Sequence, residues 1–215
     1  TSVVPASSGG YLITLYAGPV MKLDEEGNPE WEASVEGDYI LSAVQTADEG
    51  YTFVGGRGAL YSNVQGDFWI VHLNKEGRIE WQKAYGGKNR ENALTVARTA
   101  DDGYIVGGHR YSKDSGNDIW LVRLDPEGNH RWNTTLGGDQ DDYLYLVSEL
   151  DGGEYSAIYS KGEGNLSGPV EVPALTAMEP PSRSNTWMLQ SQFCGQIELN
   201  TYLPVLPHRR VIGTF

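Results

Sequence analysis

Residues 91–138 read ENALTVARTADDGYIVGGHRYSKDSGNDIWLVRLDPEGNHRWNTTLGG, and this stretch decides the fold. Leu94-Thr95-Val96-Ala97-Arg98 is a short strand-like run closed by the turn Asp101-Asp102-Gly103. Tyr104-Ile105-Val106 makes a second run, and the loop Ser112-Lys113-Asp114-Ser115-Gly116-Asn117 ends it. Ile119 to Leu124 is rich in β-formers, the segment from Asp125 to Asn129 combines Pro, acid, Gly and Asn into a tight turn, and a last strand carries Trp132. Four short strands joined by brief turns make one antiparallel meander, the unit from which a propeller blade is built.

The rest of the chain lies down around this unit as near copies. Trp120 to Trp132 is 12 residues, Trp69 to Trp81 is again 12, and in both cases a Gly precedes the second Trp by four, at Gly128 and Gly77. Copies at a period near 50 residues signal a propeller or a related array. A hairpin holds such a spacing because a single added residue turns every later side chain to the other face of the sheet.

In chain order, Ser8-Gly9-Gly10-Tyr11 aligns with Asp101-Asp102-Gly103-Tyr104, which leaves only Thr1 to Ser7 for a first strand and predicts a blade entered partway. Val20 to Asn28 and Trp31 continue that copy, with Pro19 at the inner-Trp position. A second copy runs through Tyr39–Val44, Gly50-Tyr51, Trp69 and Trp81. A fourth opens at Tyr143, acquires a long loop from Lys161 to Ser184, and resumes at Trp187, with Leu199 where a second Trp is expected. The reading is an all-β propeller, or a partial propeller, of about four four-stranded antiparallel blades near residues 10–31, 38–87, 91–138 and 142–203, followed by a tail over 204–215. For residues 186–203, a worn repeat and an unrelated tail both stand open.

Composition narrows the classes. The chain has 215 residues with 27 Gly, and nothing in it resembles a membrane-spanning run. With 29 acids against 16 bases the net charge is −13, a surface that repels phosphate backbones and argues against a nucleic-acid partner. One cysteine, Cys194, excludes an internal disulfide framework.

Trp81-Gln82-Lys83-Ala84-Tyr85-Gly86-Gly87, Asp101-Asp102-Gly103-Tyr104 and Asp67-Phe68-Trp69-Ile70-Val71-His72-Leu73 resemble the repeats of a family of exported archaeal and bacterial propellers. Leu124 to Trp132 is also similar to the tryptophan-docking motif of quinoprotein-like propellers. The resemblance covers about Gly9 to Asp151 well and the remainder poorly. It implies an extracellular or cell-surface location and, in its quinoprotein branch, a quinone cofactor with calcium in a central channel. A single Cys and about four blades do not build that channel, so no cofactor is expected.

No nucleophile elbow, His-Glu-x-x-His pair or phosphate loop occurs, so no catalytic residue is assigned. Asp139, Asp141 and Asp142 offer calcium-type oxygen ligands, but Lys88, Asn89 and Arg90 fill the matching loop of the second copy, which favours a solvated turn. His72 shares its position with Lys22 and Arg123 and reads as a solvent-facing or rim polar site. Trp31, Trp81 and Trp132 recur at one blade position and Trp69, Trp120 and Trp187 at another, the mark of packing between blades. Tyr61, Tyr111 and Tyr159, near loop starts, are the candidates for a binding surface. The expected function is a non-catalytic interaction module for protein or glycan; the alternative is an enzyme on the same scaffold, a quinoprotein-like oxidoreductase or a carbohydrate-active hydrolase.

Overall fold

The computed structural model describes residues 2–16, 18–37, 39–57, 66–150, 153–162 and 174–175. These residues form an all-β, propeller-like array of four antiparallel sheets. The first holds β1 (Ser2–Pro5), β2 (Tyr11–Thr14), β3 (Val20–Leu23) and β4 (Pro29–Ala33). The second holds β5 (Tyr39–Gln45), β6 (Tyr51–Arg57), β7 (Asp67–Leu73) and β8 (Ile79–Tyr85). The third holds β9 (Glu91–Arg98), β10 (Tyr104–Ser112), β11 (Gly116–Leu124) and β12 (His130–Leu136). In the fourth, β13 (Asp142–Glu149) pairs with β14 (Tyr155–Lys161), to which β15 (Ala174–Leu175) adds two residues. Strand order follows chain order in every sheet, so each blade is a simple meander.

One expectation about the blades changes. The first blade is not entered partway: Ser2–Pro5 pairs in register with Tyr11–Thr14, and the few residues before Ser8 suffice because every strand of this sheet is short. The fourth sheet has three strands among the described residues, and the strands expected over 186–203 lie outside them.

The core lies between the blades rather than within one. Leu12, Val20, Tyr51, Phe53, Trp69 and Val71 fill the space between the first and second sheets. Val54, Phe68, Ile70, Tyr104, Val106 and Trp120 fill the next. Ile105, Ile119, Leu121, Leu144, Val147 and Tyr155 fill the third. The alternation of side chains along a strand produces this division, because in β11 Trp120, Val122 and Leu124 face the second blade while Ile119 and Leu121 face the fourth. A sheet covered on both faces reads as an unbroken apolar run, which is why Ile119 to Leu124 is so rich in β-formers.

The 12-residue spacing hides an extra residue. Trp31 pairs with Lys22 but Pro29 with Leu23; Trp81 pairs with His72 but Ile79 with Leu73; Trp132 pairs with Arg123 but His130 with Leu124. Glu30, Glu80 and Arg131 are therefore the inserted residues of a bulge repeated in all three outer hairpins. A bulge brings the inserted residue and its neighbour opposite one partner. It sets Glu80 and Trp81 against the single residue His72, and Glu30 and Trp31 against Lys22.

Candidate functional site

Each outer-strand indole reaches forward onto the following blade. Trp31 donates its Nε1–H to the Lys75 carbonyl at 2.8 Å and meets the Tyr51 ring edge-on at 6.0 Å. Trp81 meets Tyr104 in the same way at 5.9 Å, and Trp132 meets Tyr155 at 5.4 Å. Glycine makes room for the ring: a Cβ at Gly77 would lie 2.6 Å from Trp31, and one at Gly128 would lie 2.7 Å from Trp81. Both glycines also hold positive φ, 77° and 73°, in the turn before the outer strand. The inner-position indoles point the other way. Trp69 packs into the cluster shared with the first blade, and Trp120 lies 4.7 Å from Phe68 of the second.

Among the described residues, no indole covers the same receiving face of the first blade. Tyr11, the counterpart of Tyr51 and Tyr104, is 48% exposed, against 1% and 2% for those two. Ile13, Met21 and Leu23 on that face are half-buried, whereas Phe53, Val71 and Leu73 of the second blade are fully buried. A Cβ built on Gly27 meets nothing within 4 Å. Asp24, Glu25 and Glu26 border the opening.

A second recurring feature lies beneath the outer hairpins. Lys22, His72 and Arg123 are 3%, 4% and 5% exposed, which corrects the rim position expected for them. Each is the cross-strand partner of an outer tryptophan, the His72 imidazole stacks on Trp81, and the polar ends are satisfied locally. Lys22 donates to the carbonyls of Gly9 at 2.8 Å and Leu23 at 2.9 Å and to Glu30 at 2.9 Å. Arg123 donates to the Leu124 carbonyl, to Asp101 and, at 2.8 Å, to the Tyr155 hydroxyl. His72 sits between two carboxylates, with Nε2 at 3.5 Å from Asp48 and 3.4 Å from Glu80. Its ligand atoms and theirs lie within 4.8 Å of one another, close enough to hold a metal ion. Burial pushes the Asp48 carboxyl up, yet the Thr46 hydroxyl, the Gly50 N–H and His72 together hold it below the ordinary carboxylate value. Asp101 behaves alike, with Thr99 and Arg123 outweighing its burial.

The other candidates named from the sequence scatter once seen in space, as their separation along the chain allows. Asp141 accepts hydrogen bonds from Asn117, at 2.6 Å from its backbone N–H and 3.2 Å from its amide. Asp142 is buried at the start of β13, and Asp139 is exposed. Tyr111 is 40% exposed at the end of β10, with the Arg90 guanidinium 5.5 Å from its ring centre. Tyr159 is only 8% exposed and packs in the cluster between the third and fourth blades, so its ring does not form part of an open face. Tyr61, Trp187 and Cys194 lie outside the described residues. His109, on β10, accepts the Leu144 N–H at 3.1 Å across the third interface, and burial draws its pKa down to about 4.

Sequence reasoning missed the Asp48–His72–Glu80 grouping. The available signal was the alignment of Lys22, His72 and Arg123, each preceded in its repeat by a Gly-containing turn; polarity alone suggested the rim. No family model matches the chain, and no curated protein matches it.

Proposed function

We propose that the chain is a non-catalytic protein-binding module, of the exported or cell-surface kind its repeats resemble, and that the receiving face of the first blade is its binding site. The observation that carries this reading is the contrast between Tyr11 at 48% exposure and Tyr51 and Tyr104 at 1% and 2%. Within the chain, that face of the next blades accepts an indole. The outer-strand tryptophans Trp31, Trp81 and Trp132 are each engaged on the blade that follows. On this reading the ligand is a β-strand of a partner protein that presents a tryptophan to Tyr11 and Gly27. Asp24, Glu25 and Glu26 beside the opening favour Lys or Arg flanking that tryptophan.

The test uses the whole chain and a hairpin peptide with the sequence of residues 116–136, which carries Trp120 and Trp132. Saturable binding by calorimetry, lost in Tyr11→Asp and lost when both peptide tryptophans become alanine, supports the reading. A peptide that does not bind, together with a glycan array on which binding depends on Tyr11, overturns it in favour of a sugar platform.

A further inference from the structure

We propose that Asp48, His72 and Glu80 form a binding site for a divalent transition ion of the zinc class. This goes beyond the docking role and uses a different surface, beneath the hairpin between β7 and β8.

Comparing equivalent positions in the three blades exposes the anomaly. In the first blade the set is Ser8, Lys22 and Glu30, so the one carboxylate meets a permanent cation 2.9 Å away. In the third it is Asp101, Arg123 and Arg131, where Asp101 meets the Arg123 guanidinium and Arg131 turns to Asp125 at 3.6 Å. Of these three blades, the second alone directs two carboxylates at one imidazole. The place that holds a lysine or an arginine in its neighbours holds an imidazole, a side chain that can coordinate a metal through a ring nitrogen. A divalent cation would bind that nitrogen and both carboxylates together.

Geometry fits the same ion. A tetrahedral zinc with bonds of about 2.0–2.1 Å separates its ligand atoms by about 3.3–3.4 Å. The two nitrogen–oxygen separations, 3.4 and 3.5 Å, match that edge. The imidazole is oriented before any ion arrives. Its Nδ1 lies 3.0 Å from the Thr52 hydroxyl oxygen, and Thr52 is fully buried. Nε2 faces Asp48 and Glu80. A metal-bound histidine is commonly oriented by a partner on its far nitrogen, the place that Thr52 takes here. Trp81 lies flat on the ring, 5.3 Å between centres and 16° between planes. The bulge is what carries Glu80 to this side of the hairpin. Asp48 and Glu80 are 59% and 49% exposed in their side chains, which opens an entry path and leaves a fourth position to water.

One imidazole and two carboxylates suit zinc or cobalt better than calcium, which prefers six to eight oxygens. The experiment strips the purified chain with a chelator and titrates it with cobalt at pH 7.5. It then measures zinc affinity by calorimetry and thermal stability with and without zinc. The expected result is one equivalent bound with the visible absorption of tetrahedral cobalt, and a rise in Tm with zinc. Glu80→Gln, at an exposed position, weakens zinc by at least about tenfold. His72→Arg copies the third blade's own solution, so it folds and loses both the cobalt spectrum and the zinc-dependent Tm shift, while Asp139→Asn changes neither. The proposal is overturned by a chain that shows no cobalt spectrum and no zinc shift, or by binding that survives both Glu80→Gln and His72→Arg.

Discussion

Acidification from pH 7 to pH 5 should destabilise this protein through one residue, His109. Its Nε2 accepts the Leu144 backbone N–H at 3.1 Å, and the Tyr143 ring stands edge-on to it at 5.5 Å. Protonation would set an N–H against an N–H where the third and fourth blades meet. Burial is the main cause of the lowered pKa; Arg90 adds to it and Asp141 opposes it. The folded value of about 4 lies below the ordinary histidine value of 6.5, so between the two the unfolded chain holds more protons than the folded one. Stability is accordingly complete above about pH 6.5 and drains away as the pH falls toward 4. The full difference of about 2.5 units corresponds to roughly 3 kcal/mol, of which about 2 kcal/mol is gone by pH 5. Against a typical domain stability of about 5–15 kcal/mol, that loss is easily measured.

Urea unfolding at pH 7, 6 and 5 supplies the measurement, with His109→Gln as comparison. Glutamine keeps a side-chain acceptor for Leu144 and removes the titration. The difference in stability between pH 7 and pH 5 should shrink by about 2 kcal/mol in the variant. Groups other than residue 109 titrate in both proteins and cancel in the comparison. Asp48 and Asp101, whose pKa values are lowered from 3.8, lose their contributions only at still lower pH, because a depressed carboxylate stabilises above its unfolded pKa and fails as the pH drops through its folded one. Equal slopes in the two proteins would refute a neutral, interface-bonded His109.

Two further outcomes concern the architecture. Gly27→Ala and Gly128→Ala both place a Cβ at positive φ, 87° and 73°, and each bears a backbone penalty of about 1–2 kcal/mol. Only Gly128→Ala also drives a Cβ into Trp81, so it should cost at least about 1 kcal/mol more on urea unfolding; equal costs would show that the indole does not rest there. Arg123→Met should cost about 1–3 kcal/mol, because it leaves the Leu124 carbonyl without its Arg123 donor inside the blade. Asp101→Asn should cost less than about 1 kcal/mol, since its side chain is 67% exposed and regains water. The reverse ranking would mean the ion pair, rather than the carbonyl cap, is what Arg123 provides.

The blades were legible in the sequence because packing between them demands the same residues at the same places. A ring between two sheets needs an indole on the outer strand, a tyrosine on the second strand of the next blade and a glycine in its turn, and each leaves a fixed spacing. The bulge was not legible. Its effect on spacing is identical in all three hairpins, so Trp69 to Trp81 and Trp120 to Trp132 agree whether or not a residue is inserted. The burial of Lys22, His72 and Arg123 was missed for a related reason. Charge is ordinarily a surface property, and the carbonyls of Gly9, Leu23 and Leu124 that help make the burial of Lys22 and Arg123 tolerable are invisible to a pattern of side chains.

A repeat separates what the array requires from what one blade does. Where the copies agree, as at Trp31, Trp81 and Trp132, agreement is a consequence of stacking and carries no information about a ligand. Where the geometry repeats but the chemistry does not, packing cannot be the cause of the difference. Tyr11 keeps the tyrosine but, among the described residues, has no indole over it. His72 keeps the buried position and exchanges a permanent cation for a coordinating nitrogen, while Asp48 and Glu80 together supply negative charge that neither neighbouring blade gathers in full. Both departures fall on the first two blades, and each leaves room for something outside the described residues: an indole in one case and a cation in the other. The two are separable, because Tyr11→Asp should leave the cobalt spectrum intact and His72→Arg should leave peptide binding intact. If either substitution abolished both, the supposed sites would be one structural feature and the functional reading of each would fail together.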